Sequence, residues 1–310
     1  MSNEKTAPAH PKYLWLDGEL VEWDKATVHI TSLEWVGSSS VFEGIKAYRN
    51  PEEDRSFIFR VEDHMRRMDD SMRLMDMHPK WAAPQLTKAI VELARANEVK
   101  TDVYIRPFAY FGRGGPLMPS RPEHIMITTA PFTSTLKTGR ALTAAISSWT
   151  RISDNVMPPR IKTEANYRNS ELAAHEAKRN GYDEAIILNA QHKVAEGAWA
   201  CVMMVKRGKV YTPPVTAGLL ESVTRSALLT MFEEQMNVKT EEREIDRTEL
   251  YLADEVFMCG TGYEVTPIIS VDRYQVGDGK IGPLTGRMID LYHDVVRGLD
   301  APYDQWRTAI

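Results

Sequence analysis

A lysine, a tyrosine, a glutamate and a hydroxyl-bearing helix start stand in this chain in an order that suits one kind of chemistry. Lys162 lies in the stretch Ile161-Lys-Thr-Glu-Ala-Asn-Tyr-Arg-Asn-Ser170, five residues before Tyr167. Glu196-Gly197 follows, then Val223-Thr224-Arg225 and, after another apolar run, Gly260-Thr261. A lysine amine condenses with an aldehyde as a Schiff base. A tyrosine hydroxyl can hydrogen-bond a ring oxygen beside that aldehyde. A buried carboxylate can keep a pyridine nitrogen protonated, so that the ring draws electrons from a reacting carbon. The first turn of a helix offers free N–H groups and a positive dipole end to a phosphate. Val223 and Thr224 open a predicted helix, Thr261 adds a second hydroxyl and amide, and Arg60, at the end of Phe57–Phe59, brings charge. Together these groups suit pyridoxal phosphate.

Two kinds of element must position them. The first part of the chain reads as strand-rich. Tyr13–Leu16 and Leu20–Trp23 flank Asp17-Gly18, a hairpin turn signal. Thr27–Ile30 reads as another short strand, Gly37–Ser40 as a loop and Ser56–Phe59 as a strand. Residues 61–76 carry apolar positions at helical spacing, with most of their methionines on one face as core packing. A second helix is predicted over 84–97, then strands over Val103–Phe111 and Ile125–Thr129. Periodicity disappears from Pro131 to Arg140, which marks the expected connection between domains. Beyond it, strands over 141–148, 183–188, 201–206, 209–211, 255–259 and 266–270 alternate with helices over 168–180, 222–235 and 284–297. The expected class is α+β or mixed α/β. The expected division is a flexible tail over 1–11, a small N-terminal α/β domain over 12–132, an interdomain loop over 133–141 and a large cofactor-binding domain over 142–310.

A chain of 310 residues can bury a large core in two domains. A net charge of only −5, with both signs interspersed, favours neither nucleic acid nor an anionic membrane as partner. No apolar run approaches the length of a membrane span, and the polar first residues lack the apolar segment of a signal peptide. Cys201 and Cys259 sit in apolar runs and read as buried thiols, and no metal-ligand spacing is present. A reducing, cytoplasmic setting is expected. Gly112-Arg-Gly-Gly115 lacks both the Lys-Ser/Thr of a P-loop and the dinucleotide spacing, so it reads as a flexible loop.

The segments Ser40-Val-Phe-Glu-Gly-Ile-Lys-Ala-Tyr48, His64-Met-Arg-Arg67, Tyr104-Ile-Arg-Pro107, Lys162 to Tyr167, Gly181-Tyr-Asp-Glu-Ala185, Ala195-Glu-Gly197, Val223-Thr-Arg225 and Glu264-Val-Thr-Pro267 occur in this order. In words and order they resemble the branched-chain aminotransferase family, the L-amino-acid branch of the fold-type IV pyridoxal phosphate enzymes. The likeness extends over nearly the whole chain. It implies a two-domain, D-amino-acid-aminotransferase-like fold with the cofactor in the cleft. It also implies a homodimer or higher homo-oligomer, with the 112–115 loop covering a neighbour's pocket. In the family Lys162 would be the Schiff-base lysine and proton shuttle, and Tyr167 would hold the ring oxygen. Glu196 would hold the pyridine nitrogen, and Arg60, Val223, Thr224 and Thr261 the phosphate.

The resemblance also implies that Arg106, with Tyr104, takes the distal carboxylate of glutamate, and that Phe42 and Lys46 match pocket-wall and loop positions. Three departures stand on the substrate side. Gly37 replaces an aromatic tyrosine. The family's Gly-Thr-Ala-Ala turn, whose amides hold the substrate α-carboxylate, reads Gly260-Thr-Gly-Tyr263, which places Gly262 and Tyr263 there. Phe132 and Thr135 replace a tryptophan and a tyrosine. One methylene in a pocket is worth only about 1–3 kcal/mol, so such exchanges can change the preferred substrate. The implied activity is amino transfer from a hydrophobic, branched-chain-like L-amino acid donor to a 2-oxo acid such as 2-oxoglutarate. The alternative is an amine transaminase, or an aminotransferase for a bulkier substrate, on the same scaffold. A D-amino-acid transaminase or a lyase would conflict with Tyr104-Ile-Arg-Pro107 and Phe42-Glu-Gly44.

Overall fold

The computed structural model describes residues 10–29, 32, 38–112, 122–299 and 301–310. The expectations for Gly37, for residues 1–9 of the tail and for residues 113–115 of the glycine-rich loop lie outside them. The chain forms two units, one from Met1–Thr133 with Trp306–Ile310, the other from Ser134–Gln305.

In the first unit the elements are β1 (Tyr13–Leu16), β2 (Glu19–Glu22), β3 (Val41–Phe42), β4 (Ile45–Asn50), β5 (Arg55–Phe59), α1 (Val61–Leu74), α2 (Ala83–Ala96), β6 (Val103–Phe111) and β7 (Glu123–Pro131). Asp17 and Gly18 both take positive φ, 49° and 105°, the geometry that matches a two-residue turn to the twist of a hairpin. Alternation along β6 sets the layers. Val103, Ile105, Ala109 and Phe111 face Met65, Met68 and Met72 of α1 and Leu86, Ile90 and Leu93 of α2 in one core. Tyr104, Arg106 and Phe108 alternate with them at half-buried positions, so by the period of a strand they lie on the face away from the helices.

The second unit contains β8 (Leu142–Thr150), α3 (Glu164–Arg179), β9 (Glu184–Leu188), β10 (Val194–Gly197), β11 (Cys201–Lys206), β12 (Lys209–Thr212), α4 (Val223–Glu234), β13 (Thr240–Glu242), α5 (Arg247–Tyr251), β14 (Glu255–Gly260), β15 (Glu264–Val271), β16 (Tyr274–Gln275) and α6 (Pro283–Arg297). Its sheet runs β10-β9-β8-β15-β14-β11-β12-β13, with β16 on β15. β8 is parallel to β9 and to β15. Ala145, Ala185 and Ile187 meet Ala173 and Ala177 of α3, while Ala144, Ile186 and Leu188 join a larger apolar cluster with Val202, Val256 and Ile268. Cys201 and Cys259 stand opposite each other across β11 and β14, both buried.

A mixed α+β class holds, and several expected elements fall elsewhere. Thr27–His29 are exposed and form no strand among the described residues, since alternation at an exposed segment gives no apolar face to bury. The first helix of the second unit starts at Glu164 rather than 168, which puts Tyr167 inside its first turn. β17 (Arg307–Ala309) leaves the second half of the chain and pairs antiparallel with β5, Arg307 opposite Phe59. Residues expected to end the large domain thus complete the sheet of the first unit.

Candidate active site

Lys162 sits in a turn between Pro158-Pro159 and α3. The side-chain amide of Asn166 ties that turn down, donating to the carbonyl oxygens of Pro158 and Ile161, both at 2.9 Å. The lysine is 8% exposed, and its Nζ lies 2.5 Å from the Tyr167 hydroxyl. Tyr167 stacks in turn on Trp199, with ring centroids 5.6 Å apart and planes 25° from parallel. A buried amine and a phenol are thereby presented together, one from a proline-stiffened turn and one from the first turn of a helix.

Glu196 lies within β10. The pairing of β10 with β9 shifts register between Val194 and Glu196, a bulge that places one extra residue on this strand. Bulges re-aim side chains, and Val194, Ala195 and Glu196 are all buried here. Arg151, itself buried, donates from Nη2 to Glu196 Oε1 at 2.6 Å, and the Leu220 N–H donates to Oε2 at 3.2 Å. Burial drives the Glu196 carboxyl above its usual range, against the pull of Arg151, of the Leu220 N–H and of the nearby Lys162 charge. The lysine and the carboxylate therefore share one electrostatic environment. Sequence reasoning passed over Arg151, whose only signal was a charged residue directly after a strand.

Ser222 caps α4 by accepting the Arg225 N–H at 3.2 Å. Val223 and Thr224, the first two helical residues, are buried, and their N–H groups belong to the set that no intrahelical carbonyl can reach. Thr261 opens the turn between β14 and β15. Arg60, in the first unit, caps α1 in the left-handed region at φ 50°. Its Nε donates to Asp63 at 2.6 Å and its guanidinium lies over the Trp306 ring at 4.9 Å. The Nη1 atom is buried with no hydrogen-bond partner among the described residues. A strained backbone that holds an unsatisfied cationic donor is a recurrent mark of a ligand site.

The substrate-side residues of the first unit gather on the face of its sheet away from the helices. Arg106 lies between the Phe42 ring at 5.1 Å and the Phe108 ring at 4.5 Å. Lys46, directly across from Tyr104, is 2% exposed and sits 3.4 Å from the centre of the Phe132 ring. The β3–β4 link is fixed by fully buried Glu43, which accepts from Arg67 at 2.7 and 2.8 Å and pairs with His64 at 2.8 Å. Burial alone would raise that carboxyl; Arg67 and His64 more than offset it and hold it well below the usual range.

In the second unit, Thr135 donates its N–H, at 2.8 Å, and its hydroxyl, at 3.3 Å, to Glu264, which also accepts from Ser134 at 2.9 Å. Gly262 faces open space where a side chain would stand. Tyr263 turns its hydroxyl to Glu184 and packs its ring on the apolar cluster of the sheet.

A buried lysine beside a phenol, a buried carboxyl held by an arginine and a capped helix start with its first amides turned outward fit an aldehyde cofactor with a pyridine nitrogen and a phosphate. The match with known proteins agrees. Residues 40–271 match the family model for class IV amino-transferases, and the chain belongs to that family of pyridoxal phosphate-dependent transaminases. Over 300 residues it is 38% identical to the probable branched-chain-amino-acid aminotransferase of Aquifex aeolicus, covering 96% of each chain. The branched-chain-amino-acid aminotransferase of Escherichia coli K12 is 35% identical over 302 residues, with 95% of each covered. The crystal structure of the branched-chain amino acid aminotransferase from Thermobaculum terrenum, in its PLP form, superposes with a TM-score of 0.93 at 45% identity, covering 97% of this chain and 98% of that one.

Proposed function

We propose that this transaminase takes the amino group of a hydrophobic, branched-chain-like L-amino acid and passes it to a 2-oxo acid, with 2-oxoglutarate as acceptor. The observation that carries the reading is the buried Lys162–Tyr167 pair within electrostatic reach of Glu196. When bound, pyridoxal phosphate supplies an electron sink for the carbon that loses its proton. Lys162 Nζ holds the cofactor and, once freed, moves the proton from the donor Cα. Tyr167 orients that amine and the ring oxygen. Glu196, held by Arg151 and Leu220, keeps the ring nitrogen protonated. The amides of Val223 and Thr224, the Thr261 turn and Arg60 hold the phosphate. Tyr104 and Arg106 receive the distal carboxylate of the acceptor, beside the wall formed by Phe42 and Lys46, and the turn of Thr261, Gly262 and Tyr263 receives the α-carboxylate. Thr135 takes part in selecting the substrate side chain.

The amine-transaminase alternative rested on Gly37, Thr135 and Tyr263. The hydroxyls of Thr135 and Tyr263 are both committed to buried carboxylates, which supports the amino acid reading. In this reading the protein works in the cytoplasm as a homodimer or larger homo-oligomer. Among the described residues no helix is long and apolar enough to cross a membrane.

The test is a half-reaction screen of the holoenzyme against L-leucine, L-valine, L-glutamate, D-alanine and both enantiomers of 1-phenylethylamine, following loss of the cofactor's visible absorption. Fast loss with the L-amino acids supports the proposal; fast loss with one phenylethylamine enantiomer and slow loss with L-amino acids overturns the substrate class. Lys162→Ala is expected to abolish turnover in all cases, and retained activity would remove Lys162 from its role.

A further inference from the structure

The chemistry above makes no use of the Tyr263 side chain or of Glu184. Glu184 is the first residue of β9, only 2% exposed, and alternates onto the same face as Ile186 and Leu188. One of its oxygens accepts the Ala185 N–H at 2.8 Å; the other accepts the Tyr263 hydroxyl. A long side chain from the 261–263 turn thus reaches a carboxylate fixed in the sheet. Two more contacts brace the same turn from its C-terminal side. Thr266 donates to the Tyr263 carbonyl oxygen at 2.6 Å, and Glu264, left-handed at φ 55° and fully buried, is gripped by Ser134 and Thr135. These contacts join the turn, through Tyr263 and Glu264, to the sheet and to the segment before β8.

We propose that Glu184 is a positioning residue for substrate: by holding the Tyr263 hydroxyl it fixes the Thr261 and Gly262 amides in the direction that receives the α-carboxylate of donor and acceptor alike. The inference rests on the proposed role of that turn. Misplacement of a binding group by about 1 Å can cost about a hundredfold in rate, so a brace of this kind acts on binding without touching substrate.

The brace also responds to pH. Burial lifts the Glu184 carboxyl to about 7, against the Ala185 N–H and the Arg140 charge, with Asp183 adding to the rise. Among the described residues, Arg140 from the connection before β8, Asp183 next to Glu184 in sequence and the Tyr263 hydroxyl from the turn are the charged and titratable groups that face it. Above that pH the phenol donates to a carboxylate, a stronger bond than the one to a neutral acid. The donor KM therefore falls as pH rises through neutrality.

Glu184→Gln and Tyr263→Phe, made in the holoenzyme, test this. Each is expected to raise KM for donor and acceptor about tenfold, to change kcat less than about threefold and to erase the KM step near neutral pH. In the cofactor-free protein, amide hydrogen exchange at 261–263 accelerates about tenfold in either variant, and the double variant is no worse than the single ones. Unchanged KM, pH profile and exchange in both variants would overturn the proposal. Tyr263→Phe removes only a hydroxyl and decides the matter if Glu184→Gln fails to fold. Wild-type holoenzyme that keeps its absorption with every amino donor would instead refute the transaminase reading, and the exchange rates would still decide whether the brace exists.

Discussion

Gly44 is a position where a missing side chain makes room for a functional one. A Cβ built there would stand 1.8 Å from the Tyr104 hydroxyl oxygen and 2.6 Å from the ring carbon that carries it. The phenol therefore occupies the volume that any other residue would fill. The neighbouring Glu43 cannot yield, because Arg67 and His64 hold its carboxylate in a fully buried site. Removing one partner from such a group typically costs about 3–5 kcal/mol, so the β3–β4 link is among the stiffest points of the first unit. Gly44→Ala must consequently move Tyr104 rather than the backbone. Overpacking of this kind costs about 1–3 kcal/mol, and the displaced phenol should raise KM for 2-oxoglutarate about tenfold with little change in cofactor affinity. Denaturant titration and acceptor kinetics measure both effects; an unchanged KM would take Tyr104 out of acceptor recognition.

The start of α3 shows how an element carries the chemistry. Thr163 precedes the helix without capping it through its side chain, so the entry is held instead by Asn166, reaching back to two carbonyls before Lys162. Asn166→Ala would take the side-chain donor from both carbonyls, leaving Pro158 only the Ile161 N–H and Ile161 only the Thr163 N–H, and should cost about 1–2 kcal/mol. Because those bonds tie down the lysine's own turn, the variant should also bind cofactor more weakly, as seen by titration of the visible absorption. A loss of stability with unchanged cofactor affinity would separate the turn from the site. How far the sequence disclosed such features depended on range. Lys162, Tyr167, Val223 and Thr224 were legible because each lies beside a local punctuation mark, a proline pair or a helix start. The hairpin at Asp17-Gly18 and the long strand Val103–Phe111 were legible for the same reason. β4 was hidden because Lys46 and Arg49 interrupt its apolar run, although Lys46 is buried against Phe132. The Arg151–Glu196 pair and the Glu184–Tyr263 contact join residues 45 and 79 positions apart, the bulge that turns Glu196 depends on register, and no single stretch of sequence records them.

At the scale of the whole molecule, the return of the C-terminus to the first unit ties the end of the chain to a residue proposed for the cofactor phosphate. β17 pairs along β5, the Ile310 N–H donates to Ser56 at 3.0 Å, and Ile310 packs on the core beneath. The Arg60 N–H donates to the Trp306 carbonyl at 2.7 Å, while the Trp306 ring stands beside both Phe59 and the Arg60 guanidinium. These contacts hold Arg60 in its left-handed conformation with one donor left unsatisfied. Deleting residues 306–310 should therefore act on the first unit, even though these residues follow the whole of the second. Loss of a strand's ladder bonds and of the half-buried Trp306 ring should lower that unit's stability by about 2–4 kcal/mol. Hydrogen exchange locates the effect: amides of 55–60 should lose protection while those of 255–260 keep theirs. Arg60, freed to leave the left-handed region, should release its charge from the phosphate, and cofactor affinity should fall about tenfold or more. Intact protection at 55–60 after the deletion would mean that β5 and α1 hold Arg60 unaided. Lost protection with unchanged cofactor affinity would mean that Arg60 meets some other anion.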